Sequence, residues 1–157
     1  MALSTDNTWR DTVTKDLENI LPVSEIVLSA AVLYRGSFCT RDTTAGEIKP
    51  YDGTVTDRAV GWHFGKSVTG NASAPRNTAR IIAGGFQARY PVTGLHGTTL
   101  ATDSGKKVYA SNDGTLTLTG TTATMRVGEV MGNDSGITLG TNAWVRFRNM
   151  AGKVGGE

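Results

Sequence analysis

Three consecutive pieces near the end of the chain decide its fold class: Lys107-Val-Tyr-Ala-Ser-Asn-Asp-Gly-Thr-Leu-Thr-Leu-Thr-Gly120, Thr124-Met-Arg-Val-Gly-Glu-Val-Met-Gly-Asn-Asp-Ser-Gly136 and Asn142-Ala-Trp-Val-Arg-Phe-Arg-Asn149. Each is a short strand pattern closed by turn residues. Leu116 and Leu118 alternate with Thr115, Thr117 and Thr119, the period of two that a half-buried strand requires. Asp113-Gly114 separates two such runs and predicts a hairpin with a type I′ turn, whose centre needs φ > 0. The pattern reads as a β-scaffold that presents a surface, with no active-site signature.

The same grammar covers the chain from Ser24 on. Alternation predicts strands at Glu25–Tyr34, Gly36–Arg41, Glu47–Pro50, Ala59–Phe64, Thr78–Tyr90, Lys107–Ser111, Thr115–Thr119, Met125–Met131 and Ala143–Arg148. Turn chemistry falls between them, at Asp42–Gly46, Asp52-Gly53 and Gly70–Pro75 among others. Gly84-Gly85 inside the longest run marks a bulge or bend. Gly94–Lys106 reads as an exposed loop or linker. Many short strands with frequent turns predict an all-β sandwich or small barrel, residues 24–157 forming one β-domain. A faint internal echo, Val60-Gly-Trp-His-Phe-Gly65 against Val127-Gly-Glu-Val-Met-Gly132, hints at two related halves, about 24–93 and about 106–150.

Residues 1–23 differ. Trp9, Val13, Leu17, Ile20 and Leu21 recur at helical spacing, Ser4 or Asp6 can cap the start, and Pro22 ends the run. This is a short amphipathic helix or an arm. Its apolar stripe packs either on the chain's own β-domain or on a partner.

Bulk properties narrow the function. At 157 residues the chain is long enough to bury a core, and 19% charged against 38% hydrophobic residues indicates a folded protein. A net charge of +2 argues against binding nucleic acid through a large basic surface. No apolar run is long enough to span a bilayer as a helix, and the N-terminus lacks the regions of a secretory signal, so synthesis and folding in a cytoplasm is the expectation. The single cysteine, Cys39, has no intrachain disulfide partner and reads as a buried, inert thiol.

Few residues of the chain suggest chemistry. His63 and His96 are not at metal-ligand spacing from each other, from Cys39 or from a carboxylate cluster, and His63 reads as a partly exposed structural residue. Gly61-Trp-His-Phe-Gly65-Lys66-Ser67 falls one residue short of a phosphate-binding loop, and Trp62 and Phe64 would fill the phosphate space. Asn71-Ala-Ser73 and Asn133-Asp-Ser135 fit a glycosylation pattern but read as turns. No catalytic residue, metal site or cofactor is expected. The suggestive feature is a strand face: alternation places Val145 and Phe147 on one side and Trp144, Arg146 and Arg148 on the other, the composition that protein interfaces favour. Arg80, Arg89 and Tyr90 lie on or beside the long strand. A basic-aromatic face of this kind also suits single-stranded nucleic acid, but no OB-type or RNP-type signature accompanies it.

These residues resemble a known family. Leu33-Tyr34-Arg35-Gly36-Ser37, Ile48-Lys49-Pro50, Ala59-Val60-Gly61-Trp62, Ala83-Gly84-Gly85-Phe86, Gly105–Ser111, Asp113–Thr117, Val127-Gly128-Glu129-Val130 and Trp144–Phe147 resemble the head decoration, or capsid cement, proteins of tailed bacteriophages, of the β-tulip kind. The likeness spans roughly Val32 to Arg148. It implies a non-enzymatic virion protein, made in the cytoplasm of a bacterial host. Such a protein binds the major capsid protein on the outer surface of the expanded head as a homotrimer and holds capsomers against packaged DNA, with no direct nucleic-acid or membrane contact. A trimer touching several subunits at once gains avidity. Residues 1–23 and the Trp144/Arg146/Arg148 face are then the candidate contacts. Similar strings occur in phage tail-tube and fibre modules, which stand as the alternative. A third reading is a carbohydrate-binding module stacking sugars on Trp62, Trp144 and Tyr109, although no paired carboxylates suggest glycoside hydrolysis.

Overall fold

A computed structural model describes residues 22–54, 56–95, 100–122, 124–131 and 142–154. The stripe Trp9, Val13, Leu17, Ile20 and Leu21 lies outside the described residues. Apart from a four-residue helical turn, α1 (Leu100–Asp103), the described secondary structure is β. The first seven strands are β1 (Val23–Ile26), β2 (Val32–Leu33), β3 (Phe38–Arg41), β4 (Ile48–Pro50), β5 (Arg58–His63), β6 (Val68–Thr69) and β7 (Thr78–Ile82). Five more follow: β8 (Gln87–Thr93), β9 (Lys107–Ala110), β10 (Leu116–Thr117), β11 (Met125–Val130) and β12 (Asn142–Phe147).

Two five-stranded units result. The first is a sheet ordered β1-β7-β5-β3-β4, and a parallel bridge between Val27 and Ile48 joins its two ends. The second is a closed barrel ordered β10-β8-β12-β11-β9. β2 and β6 form a small separate ribbon.

The two units repeat one topology. Taken in chain order, β1, β3, β4, β5 and β7 have the neighbours that β8, β9, β10, β11 and β12 have. Every adjacent pair is antiparallel except the closing one, which is parallel in both: Val27 with Ile48, and Val92 with Leu116. The registers also superpose. Cys39 faces Gly61 as Val108 faces Gly128, and Trp62 faces Ile82 as Glu129 faces Arg146. Val23 faces Ile81 as Ala88 faces Val145. Val60 and Val127 both sit at a register shift, each followed by a glycine. A Cβ on Gly61 would collide with the Ile82 carbonyl, and one on Gly128 with the Arg146 carbonyl, so both strands need glycine for the neighbouring backbone to approach.

The chain changes unit at Gly84-Gly85. Thr78–Tyr90 is therefore two strands, not one bent strand, and Gln87–Thr93, which a boundary near residue 93 groups with the first half, pairs with β12 and β10. Gly84 has φ 142° and passes so close to the Arg148 carbonyl that a side chain would clash. Glu25–Tyr34 likewise divides, at Ala30, whose φ is 65°.

Two cores hold these units. Val27, Leu33, Cys39, Ile48, Val60, Ala79 and Ile81 form a small cluster of the first sheet. The larger core fills the barrel and continues across to the outer face of the first sheet, where Phe38, Ala59, Trp62 and Ile82 are buried against it. Trp62 lies 4.7 Å from Phe147 and 5.4 Å from Phe86, ring centre to ring centre. The Tyr90 hydroxyl donates to the Gly36 carbonyl at 3.2 Å, tying the units again.

The Asp113-Gly114 hairpin differs from the sequence expectation. β9 and β10 do pair, but residues 111–115 separate Ala110 from Leu116, so the two-residue I′ turn is not formed. The Asn112 side chain accepts from Gly114 N–H and Thr115 N–H at 3.0 and 2.9 Å. Asp113 is turned inward, accepting from the Ser37 hydroxyl at 3.0 Å while its carbonyl accepts from Phe38 N–H at 2.9 Å. Satisfying these buried groups of the first unit outweighs the local turn preference.

Candidate interaction surface

The outer face of the barrel gathers the charged residues. On β12, Val145 and Phe147 point into the core, so Arg146 projects outward and Trp144 and Arg148 are half-buried at the surface, as the alternation requires. Trp144 sits opposite Arg89 on β8. On β11, Met125, Val127 and Val130 are buried, leaving Arg126 and Glu129 outward. Glu129 pairs in register with Arg146, and their side chains meet at 3.5 Å. Both ends of that ion pair are exposed, which limits its strength to a fraction of a kcal/mol, on the order of 0.5.

Between these strands and the Gly85 crossover lies a groove of about 350 Å³ lined by Gln87, Arg126, Glu129, Arg146 and Arg148, with Phe86 and Phe147 at its base. Arg126 Nε is buried there with no hydrogen-bond acceptor among the described residues. Of the face read from the sequence, Arg146 and Arg148 line the groove, whereas Trp144 lies on the β8 side beside Arg89. Sequence reasoning missed Arg126 and Glu129. Alternation within Met125–Val130 places Arg126 outward, but only the pairing of β11 with β12 brings it beside Arg146.

Several polar residues elsewhere are tied into the structure. His63 is buried, not partly exposed: Nε2 lies 2.7 Å from the Lys66 carbonyl and Nδ1 3.2 Å from the Arg80 carbonyl. The Lys66 turn and β7 close over it, and no substrate could reach the ring. Burial pushes the Cys39 thiol far above its ordinary range, and its Sγ donates to the Ser37 carbonyl at 3.3 Å. That is the environment of an inert thiol. Lys49 bridges Asp52 at 3.0 Å and Asp57 at 2.8 Å; burial lowers its pKa, and the two carboxylates more than offset that. The exposed Asp42 carboxylate caps its own turn, and hydrogen bonds from Ala45 N–H and Thr44 N–H hold it below the usual carboxylate range. Among the described residues no three His, Cys, Asp or Glu side chains converge as a metal site, and no helix is long and apolar enough to cross a membrane.

No protein family and no curated protein matches the sequence. The fold does have a solved counterpart. A chain in the structure titled "The capsid of Myoviridae Phage XM1" is similar over 95% of this chain and 92% of that one, with a TM-score of 0.54 and 19% sequence identity. At that identity the likeness establishes the all-β fold.

Proposed function

We propose that the protein is a structural component of a bacteriophage head, with no reaction of its own. In this reading it binds the major capsid protein on the outer surface of the expanded head as a homotrimer and stabilises the shell against packaged DNA. The observation that carries the reading is the near full-length similarity in fold to a chain of the XM1 capsid. The chemistry of the molecule agrees with it. Several of its buried polar groups serve as internal ties, and the barrel displays Arg126, Glu129, Arg146 and Arg148 along one groove, a surface that suits recognition between proteins. Residues 1–23, with Trp9, Val13, Leu17, Ile20 and Leu21, and the face of Trp144, Arg146 and Arg148 are the proposed contacts, with the capsid or between subunits. Multiple weak contacts per trimer would favour the expanded lattice, where the spacing of the sites is right.

Co-sedimentation of purified protein with expanded, undecorated heads of its parent phage tests the assignment. Saturable binding at a fixed copy number per capsid subunit, absent with unexpanded heads, is the expected result. Failure to bind expanded heads would overturn it.

A further inference from the structure

The repeated topology assigns a role to the charged groove. In the first unit, Phe38, Ala59, Trp62 and Ile82 make up the outer face that is buried against the second unit. The superposed registers give each a counterpart: Lys107 for Phe38, Arg126 for Ala59, Glu129 for Trp62 and Arg146 for Ile82. Arg126, Glu129 and Arg146 line the groove, and Lys107 lies beyond it on the far side of Arg126. The groove is therefore the second unit's version of most of the face by which the first unit docks, with charged residues in place of apolar ones. What the first unit docks on is the end of the barrel where β8 begins, at Phe86. The counterpart of that end is where β1 begins. Val23 corresponds to Ala88, and counting back two positions, as from Ala88 to Phe86, reaches Leu21 in the sequence.

The charge is complementary. Residues 1–21, which lead into β1, carry Asp6, Asp11, Asp16 and Glu18 against Arg10 and Lys15. The groove carries three guanidinium groups and one carboxylate, and the buried Arg126 Nε lacks an acceptor among the described residues. A carboxylate from outside the described residues would satisfy it with a charge-assisted hydrogen bond. The start of β1 is also where Val23 is 53% exposed. We propose that the groove binds the N-terminal end of a second copy of this chain, head to tail, with carboxylates of residues 1–21 meeting Arg126, Arg146 and Arg148. The contact repeats between copies the packing that exists between units within a copy. It rests on the self-association proposed above and names its surfaces. A head-to-tail contact joins two different patches, so it closes into a ring when the rotation between copies permits.

Site-directed disulfides in the full chain test this without capsids. One variant carries Asp16→Cys and another Gln87→Cys; Cys39, buried, takes no part. Mixing the two under mild oxidation should give a linked dimer at about tenfold the yield of either variant alone, because only unlike patches meet. The chain carrying both substitutions should give a ladder of linked copies. Linked dimers from one variant alone at the yield of the mixture would overturn the head-to-tail geometry, and a linked monomer from the doubly substituted chain would overturn the second copy as occupant, each groove taking its own N-terminus. Equal, slow linkage in all mixtures would overturn the contact itself. Adding Arg126→Glu and Arg148→Glu to the Gln87→Cys chain should cut the mixed dimer about tenfold, and Asp11→Lys with Glu18→Lys on the other chain should restore it. Circular dichroism checks that each variant folds, and an unchanged yield in folded variants would overturn the charge pairing. Because no heads are present, failure here leaves capsid binding standing, and failure of capsid binding leaves this contact standing.

Discussion

The two units share one strand order and one register, yet their matching outer faces are apolar in one and charged in the other. The first ties several of its polar residues inward while Arg58, Lys66 and Arg80 stay exposed: Asp113 holds Ser37 from across the unit boundary, His63 sits between two carbonyls, and Lys49 bridges two carboxylates. Its outer face is apolar because the barrel covers it. The barrel's interior is almost wholly apolar, and its matching outer face is charged. The lesson is that topology fixes which positions face outward, while the neighbour each unit has decides what those positions carry.

That contrast can be broken most sharply at Trp62, the residue through which the first unit leans on Phe86 and Phe147. Trp62→Ala should cost about 4 kcal/mol, as truncating a buried aromatic does. Thermal unfolding should remain one transition, with Cys39 becoming reactive to a thiol reagent in step with loss of the barrel's near-UV signal. Cys39 reacting while the barrel signal persists would mean that the units melt separately. A smaller effect is expected at Lys49. Lys49→Met leaves the buried Asp57 without its partner and should cost about 2 kcal/mol, measured by urea unfolding at neutral pH. The folded pKa of Lys49 is raised above 10.5, so its contribution is complete below that value and is lost as pH rises through the raised one. The wild type should therefore lose stability at high pH relative to the variant, and parallel curves would remove Lys49 from the account. The smallest effect on stability belongs to the groove. Arg146→Ala should change unfolding free energy by no more than about 0.5 kcal/mol. A large loss would show that the charged face supports the barrel, erasing the difference between the units.

The sequence made the fold class readable because strand alternation is a local signal. Val145 and Phe147 against Arg146 and Arg148 needed no neighbour to be assigned to opposite faces. What it could not show were facts set by distant residues. The Asp113-Gly114 dipeptide has the form of a two-residue hairpin, but its carboxylate is claimed by Ser37, 76 positions away. His63 reads as surface until the Lys66 turn closes over it. The two-residue β6 is too short for any period to register. Thr78–Tyr90 looks continuous because both of its parts alternate, and only the close passage of Gly84 by Arg148 reveals the crossing. The groove was half legible for the same reason: Arg146 and Arg148 share a strand, whereas Arg126 and Glu129 join them through pairing.

The Val27–Ile48 bridge closes the first sheet with one parallel contact, and the Arg41–Glu25 ion pair at 2.9 Å lies close by. If this seam opens, a ring of five strands becomes a ribbon with two receptive borders, and one of them, β1, displays Val23 and Ile26 to solvent. Such borders accept strands from other molecules. During refolding the seam is thus a fork between self-closure and strand exchange, and dilution, which starves the second branch, selects the first.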